Sequence, residues 1–158
     1  MTVQIGPGPV PRTIDQTSDL ALTAATHSSI PGLAFEAVAA TLYVVEGIIT
    51  ATAAGASQDV QASVSGVTDL TGEWTWWTQP VTDEAFIPSA AGEILAAGAI
   101  TESAVTDIAA TTDIGYITFA GVISSAAGGV FQLAAGQGTD AGTTTVTHSR
   151  MLVRQYQA

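Results

Sequence analysis

The chain has 158 residues and no cysteine, with fourteen acidic residues against three arginines and no lysine, a formal charge of −11. Nucleic-acid binding needs phosphate neutralisation by Lys and Arg, and this chain has no basic patch to offer. Disulfides, thiolate metal sites and a cysteine nucleophile are excluded outright.

The length suits one domain with a real core. The apolar residues come in short runs, and none approaches the roughly 20 residues of a bilayer-crossing helix, so no membrane partner is expected. Met1 to Pro11 has neither a basic nor an apolar region of the secretory kind. Only 11% of residues are charged, and so sparsely charged a surface is easier to bury against partners.

In chain order, residues 1–15 read as an extended N-terminal arm. Pro7, Pro9 and Pro11, interleaved with Gly6 and Gly8, oppose regular structure there. The body, residues 16–158, opens with a candidate strand at Ser18 to Thr23. Another follows at Ser29 to Phe35, with the turn pair Pro31–Gly32 inside it. Thr41 to Ala53 is the clearest strand: Leu42, Val44, Glu46, Ile48 and Thr50 share one face, and Tyr43, Val45, Gly47 and Ile49 the other. Asp59 to Val67 sets Val60, Ala62 and Val64 against Gln61, Ser63 and Ser65. Gly72 to Val81 is an aromatic strand whose Pro80 marks an edge or an ending.

Residues 83 to 113 admit a short helix around Glu93 to Ala97, or loops with two weak strands. The second reading is preferred. Strands follow at Gly115 to Ser125, Gly129 to Ala135 and Thr143 to Tyr156. "SSAAGG" is expected to join the first two as a hairpin turn. Eight or more short strands spaced by turn signals predict an all-β fold, a single jelly-roll-like β-sandwich with an extended N-terminal arm.

Two segments carry a resemblance. "HSSIPGLAFEAVAATLYVVEGIITATAA" resembles a pattern in phage structural proteins, through Ile30, Pro31, Gly32, Leu33, Phe35, Tyr43, Val45 and Ile48. "GVISSAAGGVFQLAAGQGTDAGTTTVTHSRMLVRQ" resembles a second one, through Gly121, Gly129, Phe131, Leu133, Ala134, Thr145, Val146, Ser149, Met151 and Val153. Such segments occur in actinobacteriophage-like minor tail proteins, head fibres and capsid decoration proteins with TNF/C1q-like jelly rolls. The resemblance covers residues 17 to 67 and 115 to 156, and His148 stands where the pattern usually has Gly. It implies a jelly roll that commonly assembles as a trimer, in head and tail proteins alike. The small size and the lack of a collagen-like or coiled-coil stalk favour a homotrimer on the outer surface of a phage capsid, a decoration protein that stabilises the head by contact with the major capsid protein. The alternative it leaves open is a minor tail or receptor-binding protein that contacts host cell-wall glycan.

Chemistry-bearing motifs are scarce. His27 and His148 are the only imidazoles, with no metal-ligand spacing. No G-x-S-x-G elbow surrounds Ser149. Asp83 and Glu84 are adjacent, so on a strand they point to opposite faces, unlike a glycosidase pair. Asp107 and Asp113 lack a calcium-loop pattern. No catalytic residue, metal or cofactor is expected, and no enzyme activity.

The informative residues are those of an interface. Trp74 and Trp76 share a strand face and Trp77 points the other way. Such rings serve as interface anchors, core or glycan platforms. Arg150 and Arg154 flank Leu152 on the last strand, to face outward if Met151 and Val153 face the core. They pair either with this subunit's acids or with a neighbour's. The arm, with Pro7, Pro9, Pro11 and Arg12, is the expected capsid contact.

Overall fold

The computed structural model describes residues 10–23, 26–53, 58–66, 70–80, 87–95, 103–108, 114–137 and 143–156. The elements among them are eleven strands: β1 (Arg12–Asp15), β2 (Leu20–Leu22), β3 (Ser28–Ala37), β4 (Thr41–Ala53), β5 (Gln58–Ser65), β6 (Leu70–Pro80), β7 (Ile87–Leu95), β8 (Ser103–Ile108), β9 (Ile114–Ser125), β10 (Gly129–Gly136) and β11 (Thr144–Tyr156). The segment 83–113 thus supplies two strands and takes the non-helical reading. β6 ends at Pro80, where the missing N–H would break a ladder.

The strands form two antiparallel sheets. The smaller runs β3-β10-β5-β8, and the larger runs β1-β11-β4-β9-β6-β7, with β2 also paired to β11. Counting β3 to β10 as strands 1 to 8, the sheets read 1-8-3-6 and 2-7-4-5. Apart from β6 and β7, neighbours in these two four-strand runs are not consecutive in the chain, and this order is the winding of an eight-stranded jelly roll. β11 extends the larger sheet past β4, and β1 and β2 flank β11. Of the expected arm, Val10 and Pro11 are exposed, and Arg12–Asp15 is hydrogen-bonded into the sheet with Ile14 buried.

This winding corrects one expectation. "SSAAGG" is not a hairpin turn, because β9 pairs with β4 and β6 while β10 pairs with β3 and β5. The link crosses from one sheet to the other. Gly128 and Gly129 take positive φ, and the Gly128 N–H donates to Ser125 Oγ at 2.8 Å. A hairpin would leave both strands in one sheet, and the core between the sheets would lose its second wall.

The core lies between the sheets. Tyr43, Val45, Ile49 and Ala51 of β4 point inward, and the first three belong to one of the two faces that period-two alternation separates in the sequence. Six aromatic rings cross the sandwich in contact. Trp76 and Trp74 pack on Phe119, Trp74 reaches Phe131, and Phe131 stacks on Phe35, which touches Tyr43. Centroid separations run from 4.9 Å to 5.8 Å, the range of favourable ring pairs. Gly121 lies opposite Trp74, and a Cβ there would overlap the indole.

Two irregularities shape the edges. Pro31–Gly32 bulges β3, with Gly32 at φ 84°, and Pro31 C=O accepts from Thr17 N–H at 3.0 Å. In β11 the register with β4 shifts between Thr147 and Arg150, and His148 there has φ 51°. His148 thus takes, with a Cβ, a left-handed backbone that favours glycine. Gln16 holds this bulge. Its carboxamide donates to Val146 C=O at 2.8 Å and accepts from Ser149 N–H at 3.0 Å.

Candidate functional site

Trp74 and Trp76 do share a face, but that face is the core: each is 2% exposed. This corrects the expectation that they form a subunit or capsid interface. β6 lies between β9 and β7 in the large sheet, so its inward residues meet Phe119 and Phe131 instead of a partner. The same burial removes two of the three rings from any glycan platform. The side chain of Trp77 lies outside the described residues, as do Pro7, Pro9, Asp83, Glu84, Asp113 and the side chain of Asp107.

Arg150 and Arg154 face outward, with Met151 and Val153 in the core. Each pairs with an acid of its own subunit, Arg150 with Asp15 and Arg154 with Glu46, the latter at 3.0 Å. Arg12 is exposed beside Val10, at a depression floored by Phe35, Tyr43 and Val153. Its β1 position opposite Val153 sets it at the edge of the large sheet, near where the expected arm joins the body.

The histidines do not meet. His27 Nδ1 lies 2.6 Å from Ser63 Oγ, and its Nε2 is 3.4 Å from Gln61 Oε1. This contact ties the β2–β3 connection to β5. His148 is exposed at the β11 bulge. Among the described residues no group of three or more His, Asp or Glu is placed to hold a metal.

The surface that stands out is one that sequence reasoning did not single out: the outer face of the large sheet. No described element covers it. Register places its residues in rows across β11, β4, β9 and β6. One row is Tyr156–Leu42–Ser124–Thr71, the next Arg154–Val44–Val122–Glu73, and the next Leu152–Glu46–Ala120–Thr75. Leu42 is 41% exposed, Val122 40% and Tyr156 38%. A shallow depression lies among Val44, Val122, Ala120 and Thr75, with Glu73 at its rim. The signal was present in β4. Leu42, Val44 and Ile48 make its outer face apolar as well as its inner one, where a solvated sheet face reads polar. A contiguous exposed apolar patch on a sheet marks an interaction surface.

No protein-family model matches the chain, and no curated protein matches it. Among solved structures, the chain is similar to the infectious bursal disease virus Gt strain structure at 15% identity and TM-score 0.31, covering 95% of this chain and 38% of that one. The Gx strain structure gives 13% identity and TM-score 0.30, over 93% of this chain and 40% of that chain. The VP2 subviral particle of the same virus gives 11% and 0.30, over 94% and 37%. The chain thus spans under half the length of the chains it matches. Likeness at this level carries no argument about function, and the jelly-roll assignment rests on the strand order itself.

Proposed function

We propose that this protein is a structural subunit of a virus particle, packing against copies of itself and against the shell. The observation that carries this reading is the uncovered outer face of a jelly-roll sandwich, with Leu42, Val122 and Tyr156 exposed side by side on one sheet. Aliphatic side chains on a flat face of strands suit protein–protein burial. Among its described residues the depression on this face is shallow and lined mostly by aliphatic side chains.

The finer reading is a capsid decoration protein on the outer surface of a bacterial virus head, in contact with the major capsid protein. It rests on the resemblance of residues 17–67 and 115–156 to phage structural proteins. Such a subunit acts mechanically, adding buried area between neighbouring shell subunits and so resisting internal pressure. The alternative, a minor tail or receptor-binding protein contacting host cell-wall glycan, shares that resemblance, but the burial of Trp74 and Trp76 leaves it a smaller glycan platform. For the arrangement of copies we favour the two-fold described below over the three-fold that the resemblance implies.

Gold-labelled antibody against the protein, imaged on intact virions, tests the location. Label over heads is the expected result. Label at tail tips would overturn decoration, and label on no particle would overturn the virion role.

A further inference from the structure

We infer that the outer face of the large sheet packs on the same face of a second copy, about a two-fold axis parallel to the strands and between β4 and β9. The inference concerns self-association and does not depend on where the protein sits on a particle.

The argument starts from one row. Across β11, β4, β9 and β6, register sets Arg154, Val44, Val122 and Glu73 side by side. The row has a cation at one end, an anion at the other and two valines between. A copy turned over about an axis along the strands presents this row in reverse. Arg154 then faces Glu73 of the second copy, Val44 faces its Val122, and each contact occurs twice, as an isologous interface requires. A two-fold at right angles to the strands, through the same row, would set Arg154 on Arg154 and Glu73 on Glu73. Charge therefore selects one orientation.

The flanking rows are compatible. Leu152 meets Thr75 of the second copy, and Glu46 meets Ala120 while keeping its own Arg154 at 3.0 Å. On the other side Tyr156 meets Thr71 and Leu42 meets Ser124. No like charges face each other. Arg154 uses only Nη1 toward Glu46 in this contact, which leaves guanidinium donors for a second carboxylate. Glu73 is exposed and has no ion pair among the described residues.

Strand spacing and the two-residue repeat give the three rows on four strands a footprint of about 400 Å² per copy. The total, about 800 Å², lies below the range of stable specific interfaces, so the dimer is weak in dilute solution. The crowding of copies on a particle would favour it by mass action.

Sedimentation velocity of the full chain from micromolar to millimolar concentration tests this. The expected mass rises from one chain, 15.9 kDa, toward two. Glu73→Arg should weaken association tenfold or more, Val122→Asp likewise, and Glu73→Arg with Arg154→Glu should recover part of it. Thermal melts confirm that each variant is folded. If Glu73→Arg unfolds, Glu73→Gln replaces it, with a smaller weakening expected. A single-chain mass throughout, a rise to three chains, or an unchanged dissociation constant in folded Glu73 variants would overturn the two-fold. A monomer whose Val122→Asp variant no longer adheres to purified shells would assign the face to a different protein. That result would also overturn the second-copy inference, while leaving the virion role standing.

Discussion

At the scale of single residues, the missing Cβ of Gly121 matters more than any charge. The Trp74 ring occupies the space a methyl would need, and Glu73 C=O is 2.9 Å from the same point. Neither a ring wedged between Phe119 and Phe131 nor a strand backbone yields cheaply. Gly121→Ala should cost about 1–3 kcal/mol of overpacking, read as a lowered midpoint in urea. His148 is the reverse case. Its φ of 51° strains a residue with a Cβ, by roughly 1 kcal/mol. Glycine relieves that strain but gains freedom in the unfolded chain, so His148→Gly should range from neutral to about 1 kcal/mol more stable. His148→Val, β-branched at the same φ, should destabilise. A melt in which Val is tolerated better than Gly would show that the bulge is built differently. That His148 departs from the Gly of the resembling pattern was legible in the sequence. The left-handed backbone was not, because φ depends on the register shift imposed by β4.

Among elements, β11 carries the most connections. It holds β1, β2 and β4, and its bulge would leave backbone groups unpaired without Gln16. Gln16 N–H also donates to Ser149 C=O at 2.9 Å, and Ser149 Oγ accepts from Thr50 N–H at 3.2 Å. Removing the carboxamide strands Val146 C=O and Ser149 N–H in a part-buried site. Gln16→Ala should therefore cost about 1–3 kcal/mol. Arg150→Ala makes the contrast. Its pair with Asp15 has side chains 64% and 57% exposed, and such a surface pair contributes at most about 1 kcal/mol. Equilibrium unfolding of the two variants should rank Gln16→Ala clearly below Arg150→Ala. Nothing in the sequence marked Gln16, because its partners lie some 130 residues away along the chain. β4, β9 and β11 were legible because period-two alternation is local.

For the whole molecule, the N-terminal edge decides what a truncation can report. Arg12–Asp15 pairs with β11 and Ile14 is 7% exposed. Deleting residues 1–15 thus removes a strand as well as an arm. It should lower the melting temperature, so a loss of shell binding in that truncation is read beside its melt. By itself, the sequence determined composition-level facts and local geometry: no disulfide, no basic surface, strands of two-residue period, and the shared face of Trp74 and Trp76. These follow from side-chain chemistry and from backbone sterics acting within a few residues. The tertiary structure alone decided which face was inside, which sheet each strand joined, and that "SSAAGG" crosses between sheets. Burial and pairing are set by partners distant along the chain. A tryptophan face and a Leu–Val face look equally suited to contact until the opposite sheet covers one and leaves the other open.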